Sequence, residues 1–246
     1  MAGSLGRRAL AELIGTALLV TAVVGSGIMA SRLSPNDVGL QLFENAVATG
    51  AALVAIILAV GPVSGAHLNP VITLIDRVFR GVSTRTATVY IAAQVVGAIA
   101  GAIVANLMFS LPALEVSTKV RSGGGIWLGE VVATFGLALV VFGVVRSTRS
   151  GLAAFAVGAY ITGAYFFTSS TSFANPAVTI GRMFSNTFAG IAPSSVGPFV
   201  GFQLVGGAIA LLAIRVLYPD AETVAPRVVM PHEPGDQPVA MRESIG

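Results

Sequence analysis

The sequence predicts an all-α membrane protein with six transmembrane helices and two re-entrant half-helices, arranged as an inverted repeat. Three observations predict this fold class. The chain of 246 residues is 54% hydrophobic and only 10% charged, which is too apolar for an ordinary soluble domain. Six apolar segments are long enough to cross the hydrocarbon core of a bilayer. Two Asn-Pro pairs lie at equivalent positions of two similar halves.

The six spans are expected at roughly 9–30, 42–62, 86–110, 126–146, 151–169 and 196–218. Two shorter apolar stretches, GAHLNPVITLIDRVF and SFANPAVTIGRMF, follow spans two and five. Each has room for a helix of about ten residues, which covers about 15 Å, or half of the core. Two such helices meeting end to end would therefore fill one span between them.

The positions of the charged residues predict the orientation of the spans and the kind of partner that the protein contacts. One side of the six-span arrangement receives Arg7, Arg8, Arg77, Arg80, Arg85, Arg146, Arg149, Arg215, Arg227 and Arg242, and the other receives Arg32, Lys119, Arg121 and Arg182. Cytoplasmic loops carry the excess of Lys and Arg, so both termini should be cytoplasmic. The net charge of +3 is not gathered into a basic patch with aromatics, so the expected partner is the lipid bilayer and not nucleic acid.

The residues after the last span differ in composition from the rest. Residues 219–246 are rich in proline and charge, which is typical of a disordered tail. The remaining residues, 1–218, are expected to form a single transmembrane domain. Without any cysteine, the chain offers no disulfide framework, thiolate metal site or thiol nucleophile.

The two halves of the domain repeat each other. ELIGT at 12–16 matches EVVAT at 130–134, YIAAQVVG at 90–97 matches FVGFQLVG at 199–206, and the Asn-Pro pair at 69–70 matches the pair at 175–176. Each half, approximately 8–110 and 126–218, holds three full spans. Because three is odd, the halves must lie upside down relative to each other in the membrane, as in inverted-repeat transport proteins.

The Asn-Pro pairs predict where two helices begin. Asn is a preferred N-cap and Pro is favoured at the first helical position, so Asn69-Pro70 and Asn175-Pro176 should each start a half-helix. Inversion brings the two starts face to face at mid-membrane. Lipid cannot satisfy the broken backbone before each start, so it must be buried or line a watery cavity. The two N-termini, each worth about +0.5 charge, would repel cations there. The alternative is two ordinary loop turns.

The segments AELIGTALLV, SGAHLNPVIT and FANPAVTIGR, in this order and spacing, resemble the major intrinsic protein family, the aquaporins and aquaglyceroporins, over residues 8–218. The resemblance implies an aquaporin-like fold in the cell inner (plasma) membrane, one pore per subunit and usually a homotetramer. It also implies passive permeation of small uncharged solutes without catalysis, metal or cofactor. Asn69, Asn175 and His67 would then line the central constriction.

The resemblance also implies a selectivity filter at four positions, found by counting from the two asparagines: Thr49, Gly163, Ser172 and Val178. Most of the family carries an arginine at the position of Val178. These residues predict a filter that is wide for the family and a solute larger than water. The set resembles the arginine-lacking filters of bacterial aquaglyceroporins linked to arsenic resistance, which pass arsenite as its neutral, glycerol-like hydroxide. The resemblance therefore implies glycerol-like polyols, arsenite or related metalloid hydroxides as solutes. Arg182 is a full turn further along, and we expect it near the outer end of the half-helix.

Other residues have two readings each. Glu12 and Glu130 are either proton-relay carboxylates or, as the family resemblance implies, acceptors of hydrogen bonds from the broken backbone, which would give the half-helices structural support together with Pro70 and Pro176. His67 is either a pH gate or a structural residue of the pore loop. The small residues of the stretch 97–101 favour close helix contact, within the bundle or between subunits.

Rival classes remain open from sequence. A plain water channel would share the six spans, the inverted repeat and the two Asn-Pro pairs. An ion-coupled secondary transporter would also have inverted repeats and broken helices, although the breaks here lie in half-length helices and no cluster of coupling carboxylates accompanies them. A membrane enzyme would need a catalytic constellation, and no serine or carboxylate is spaced to form one with His67.

Overall fold

The structure, a computed structural model, describes residues 4–146 and 150–219 of the chain. Within these ranges it contains eight α-helices and one turn of 3-10 helix at Ser150–Leu152. The helices are α1 (Leu5–Leu33), α2 (Val38–Ser64), α3 (Pro70–Val78), α4 (Thr84–Met108), α5 (Gly124–Arg146), α6 (Ala153–Phe167), α7 (Pro176–Arg182) and α8 (Pro193–Leu217). The predicted tail lies, after its first residue, outside the described residues.

Five of the helices, α1, α2, α4, α5 and α8, are long and apolar enough to cross a membrane. The predicted fold class is confirmed, but the fifth predicted span is shorter than expected, because α6 has only 15 residues. The 3-10 turn that precedes α6 brings the two together to roughly 28 Å. The chain leaves the helix at Thr168, which is extended (φ −109°, ψ 134°).

The half-helices α3 and α7 begin where the capping rules predict. Asn69 Oδ1 accepts a hydrogen bond from the Val71 N–H at 2.9 Å, and Asn175 Oδ1 accepts one from the Ala177 N–H at 3.0 Å. A proline follows each cap at the first helical position. The local sequence alone therefore fixes the start of both half-helices.

The two repeats pack in the same way, α1 against α4 in the first and α5 against α8 in the second. Glycines allow the backbones to touch. A Cβ at Gly97 would lie 2.3 Å from the Leu13 carbonyl oxygen, and one at Gly206 would lie 2.5 Å from that of Val131. The small-residue stripe of α4 therefore packs within the bundle, and its counterpart on α8 does the same.

The backbone before each half-helix turns through the left-handed region. Ala66 and Leu68 have φ of 50° and 51°, and Ser172 and Ala174 both have φ of 50°. The two pairs occupy equivalent positions of the repeats. Such conformations cost about 1–3 kcal/mol at each non-glycine residue and persist only where the surroundings over-determine them. The contacts that hold these segments are therefore part of the functional site.

Candidate functional site

A cavity runs lengthwise through the bundle along one face of α6. Ala153, Val157, Ile161 and Tyr165 line it, and their spacing of four places them in one row on that helix. From the first to the last of these residues the helix rises roughly 18 Å. Three of the five long helices add similar rows, which include Leu19 and Val23 on α1, Leu53 and Ile57 on α2, and Leu137, Val141 and Val145 on α5. These helices therefore contribute a mostly aliphatic wall.

The two broken segments supply the polar part of the lining, and the asparagines lock them together. Asn69 Nδ2 donates to the Ala174 carbonyl at 2.8 Å, and Asn175 Nδ2 donates to the Leu68 carbonyl at 2.7 Å. Each amide nitrogen carries two hydrogens, so one N–H of each asparagine is left for another acceptor. Both asparagines line the cavity, which puts these two donors at its middle.

Glu12 holds the first broken segment. Its Oε1 accepts from Ser64 Oγ at 2.7 Å and from the His67 N–H at 2.9 Å. Its Oε2 accepts from the Leu68 N–H at 2.7 Å and from Gln94 Nε2 at 2.8 Å. The fully buried carboxylate thus gathers four donors around the left-handed turn.

Glu130 holds the second broken segment by equivalent contacts. Its two oxygens accept from the N–H groups of Phe173 and Ala174, both at 2.9 Å. Gln203 Nε2 also donates to this carboxylate and to Thr179 Oγ1 at 2.9 Å. The carboxylates at 12 and 130 therefore have matching surroundings, each with two backbone donors and one glutamine amide.

His67 lines the cavity and is held by side chains of α3. Its Nδ1 lies 3.1 Å from Thr73 Oγ1, and its Nε2 lies 3.5 Å from Asp76 Oδ2. The Tyr90 ring meets it edge to face at 5.3 Å between centroids. Both ring nitrogens face α3, so this histidine ties the broken segment to the half-helix that follows it.

Three of the four predicted filter positions, Thr49, Ser172 and Val178, line the cavity. Gly163 does not belong with them: it lies on the exposed face of α6, where the nearest described atoms to a Cβ would be those of the Phe167 ring, at 3.7 Å. At 100° per residue it is about 200° around the helix from Tyr165. Tyr165 occupies the pore face instead, and its hydroxyl donates to Thr49 Oγ1 at 3.2 Å.

Arg182 also lines the cavity, which sequence reasoning missed. It ends α7, as expected, but it is only 2% exposed, and its guanidinium carbon lies 3.4 Å from the centre of the Phe173 ring. Its Nε donates to the Ala189 carbonyl. A usable signal was present, because residues four apart share a helix face, so a pore-facing Val178 predicts a pore-facing Arg182. We call Thr49, Tyr165, Ser172, Val178 and Arg182 the Arg182 mouth of the cavity.

Two further cations lie in the loop beside this mouth. Lys119 Nζ donates to the Phe188 carbonyl at 2.8 Å, and Arg121 Nε donates to the Gly190 carbonyl at 2.9 Å. Burial lowers the pKa of Lys119 to about 8, and repulsion from Arg121 and Arg182 adds to this. Burial likewise lowers the pKa of Arg121 to about 10. Both loop cations thus donate hydrogen bonds to backbone carbonyls, and their charges make the region around the Arg182 mouth positive.

A helical membrane bundle with a lengthwise cavity, and with two half-helices joined start to start at its middle, is a transmembrane channel. The chain belongs to the major intrinsic protein family, whose sequence model matches residues 2–209. The resemblance drawn from the motifs is therefore confirmed.

Individual relatives agree with this assignment. The chain is 48% identical over 220 residues to Aquaglyceroporin AqpS of Rhizobium meliloti (strain 1021), covering 89% of this chain and 94% of that protein. It is 32% identical over 238 residues to Aquaporin-5 of Rattus norvegicus, covering 89% and 84%. The fold is similar to the X-ray structure of the aquaglyceroporin from Plasmodium falciparum, with a TM-score of 0.66, 20% identity, and coverage of 89% of this chain and all of that one.

Proposed function

We propose that this chain is a passive channel for small uncharged solutes larger than water, namely glycerol-like polyols and metalloid hydroxides such as arsenite. The observation that carries the proposal is that one part of the cavity lining is aliphatic and another part donates hydrogen bonds. Helices α1, α2, α5 and α6 present aliphatic rows, and the broken segments present two asparagine N–H donors at mid-cavity. A polyol has the matching division, with C–H groups along its carbon backbone and hydroxyl oxygens that accept hydrogen bonds.

The aliphatic wall favours such solutes over water alone. Water gains nothing from apolar surface, whereas a solute with C–H groups removes its own apolar surface from water against this wall, which offsets part of the cost of its dehydration. The named relative with 48% identity is an aquaglyceroporin, which supports this solute class. The chain has no cysteine, so arsenite would pass because it resembles glycerol and not because a thiol recognises it.

The remaining parts of the site have structural or electrostatic roles in this proposal. Asn69 and Asn175 form the central constriction with His67, and the two half-helix N-termini repel cations there. Glu12 and Glu130 hold the strained segments as hydrogen-bond acceptors. We further propose that both termini are cytoplasmic in a plasma membrane and that four copies assemble into a homotetramer with one pore in each.

The test is solute flux in proteoliposomes, measured by light scattering with water, glycerol, urea and arsenite. Leu53→Trp fills the lumen, since Leu53 is 6% exposed and lines the cavity. Leu58→Trp is the matched control, because Leu58 lies on the same helix but is 43% exposed on its outer face.

We expect glycerol flux in the native protein and the Leu58→Trp variant, and a loss of at least about tenfold in the Leu53→Trp variant. A native protein that passes water but neither glycerol nor arsenite is a plain water channel, and that result would overturn the proposal. A flux that needs an ion gradient would instead indicate a coupled transporter.

A further inference from the structure

We propose that Arg182 supplies the fixed positive charge and the guanidinium donors of the Arg182 mouth, and so decides which solutes enter. This rests on the proposed channel function and adds a selectivity-determining residue to it. The solutes that the mouth would accept carry oxygen acceptors and no positive charge. Cations and protons would be rejected.

The position of the Arg182 side chain is fixed by two contacts. The planar guanidinium stacks on the Phe173 ring at 3.4 Å from its centre, and Nε donates to the Ala189 carbonyl. Cation–π stacking orients such a group without using its terminal N–H donors. The side chain is therefore held rigidly in the cavity wall while both of its terminal nitrogens stay available.

The mouth holds unused hydrogen-bonding capacity. Among residues 4–146 and 150–219, none accepts a hydrogen bond from the terminal nitrogens of Arg182. In the same part of the chain the buried Oγ of Ser172, another residue of this mouth, has no hydrogen-bond partner either. Buried polar groups normally find partners. A solute or water oxygen between the Arg182 donors and the Ser172 hydroxyl would satisfy both, so this is where we place the entry site.

The charge of this arginine is poorly compensated on the cavity side. The guanidinium carbon of Arg121 lies 5.1 Å from the centre of the same Phe173 ring and adds a second positive charge nearby. The carboxylate of Glu130 is already shared among the N–H groups of Phe173 and Ala174 and an amide. A unit charge about 5 Å from a passing cation, at an effective dielectric of about 20, lowers its passage on the order of 100-fold.

The experiment measures cation and glycerol permeability together, with a trapped pH-sensitive dye and light scattering in the same proteoliposomes. Arg182→Met removes the charge and keeps the bulk. The matched control is Arg32→Met, because Arg32 also lies over a phenylalanine ring, at 5.0 Å, and donates to the Phe109 carbonyl at 2.7 Å, but it is exposed and outside the cavity lining.

We expect Arg182→Met to raise proton or sodium permeability at least about tenfold while glycerol flux persists, and Arg32→Met to match the native protein. The double variant Val178→Arg/Arg182→Met returns a guanidinium to the same face one turn deeper, and we expect it to restore the native ion barrier within about twofold. Unchanged ion permeability in an Arg182→Met protein that still passes solute would overturn the proposal.

A second variant covers the case in which Arg182→Met does not fold. Val178→Arg on its own would place two guanidinium groups in one mouth, and we expect at least a tenfold loss of glycerol flux. A full glycerol flux in that variant would also overturn the proposal. If the native protein passes only water, the solute class fails, but the ion measurement with water flux as its reference still tests Arg182.

Discussion

Replacing Glu130 by glutamine tests how the strained segment before α7 is held. The carboxylate accepts hydrogen bonds from the Phe173 and Ala174 N–H groups, both at 2.9 Å, one on each oxygen. A glutamine amide has only one oxygen, so its NH2 group would face one of these backbone donors. Leaving a buried donor without its charged acceptor costs about 3 kcal/mol. For a chain of this size that lowers the unfolding midpoint by roughly 6–12 °C.

The assay is thermal unfolding of the detergent-purified protein, followed by intrinsic fluorescence and by loss of glycerol flux. Glu115→Gln is the matched control, because Glu115 accepts from Asn186 Nδ2 at 3.3 Å at the protein surface, where such a contact contributes less than about 1 kcal/mol. Equal midpoints for the Glu130→Gln and Glu115→Gln variants would refute the view that the carboxylate at 130 holds the broken backbone.

Three further predictions concern packing, the mouth and pH. Gly101→Leu should cost at least about 3 kcal/mol and reduce the yield of folded protein, since its Cβ would lie 2.2 Å from the Ala17 carbonyl oxygen. Gly201→Leu, whose Cβ would have no described atom within 4 Å, should be neutral in the same unfolding assay. Tyr165→Phe should cost about 1 kcal/mol through its lost hydrogen bond and change the glycerol-to-water flux ratio, and an unchanged ratio would exclude the hydroxyl from selectivity. Because Lys119 has a folded-state pKa near 8, below its ordinary 10.5, the unfolded chain binds more protons between these values, so the unfolding midpoint should rise with pH from about 8 to 10. Lys119→Met should remove this component, and identical pH curves for the two proteins would contradict it.

Most of the fold could be predicted because its signals are local. Each long span is a continuous apolar stretch, and each half-helix begins at an asparagine followed by proline. The exception is α6: the predicted span continues to residue 169, but the helix ends at Phe167 and Thr168 is already extended. Hydropathy indicates that a segment can lie within the membrane. It does not indicate where the backbone hydrogen bonds of a helix end, so it does not predict the end of α6.

The site was predicted less completely, because counting along the chain does not fix the face of a helix. A loop separates Gly163 on α6 from Asn175, so a count between them does not predict the helix face; Gly163 lies on the exposed face of α6 while Tyr165 faces the cavity. The rows within single helices are more dependable. The same spacing of four that joins Ile161 to Tyr165 joins Val178 to Arg182, and no loop intervenes in either case.

The reciprocal bonds between the two asparagines and the opposite carbonyls have a consequence for synthesis. Asn69 Nδ2 can donate its hydrogen bond only after its acceptor, the Ala174 carbonyl, has been synthesised 105 residues later. A ribosome that adds about 5–20 residues per second needs roughly 5–20 s to make that stretch. Glu12 and Gln94 can secure the first broken segment much earlier, since both lie within the first half. For some seconds of synthesis, therefore, the first half of the protein exists without the reciprocal asparagine–carbonyl hydrogen bonds. These bonds form only after the second half has been made.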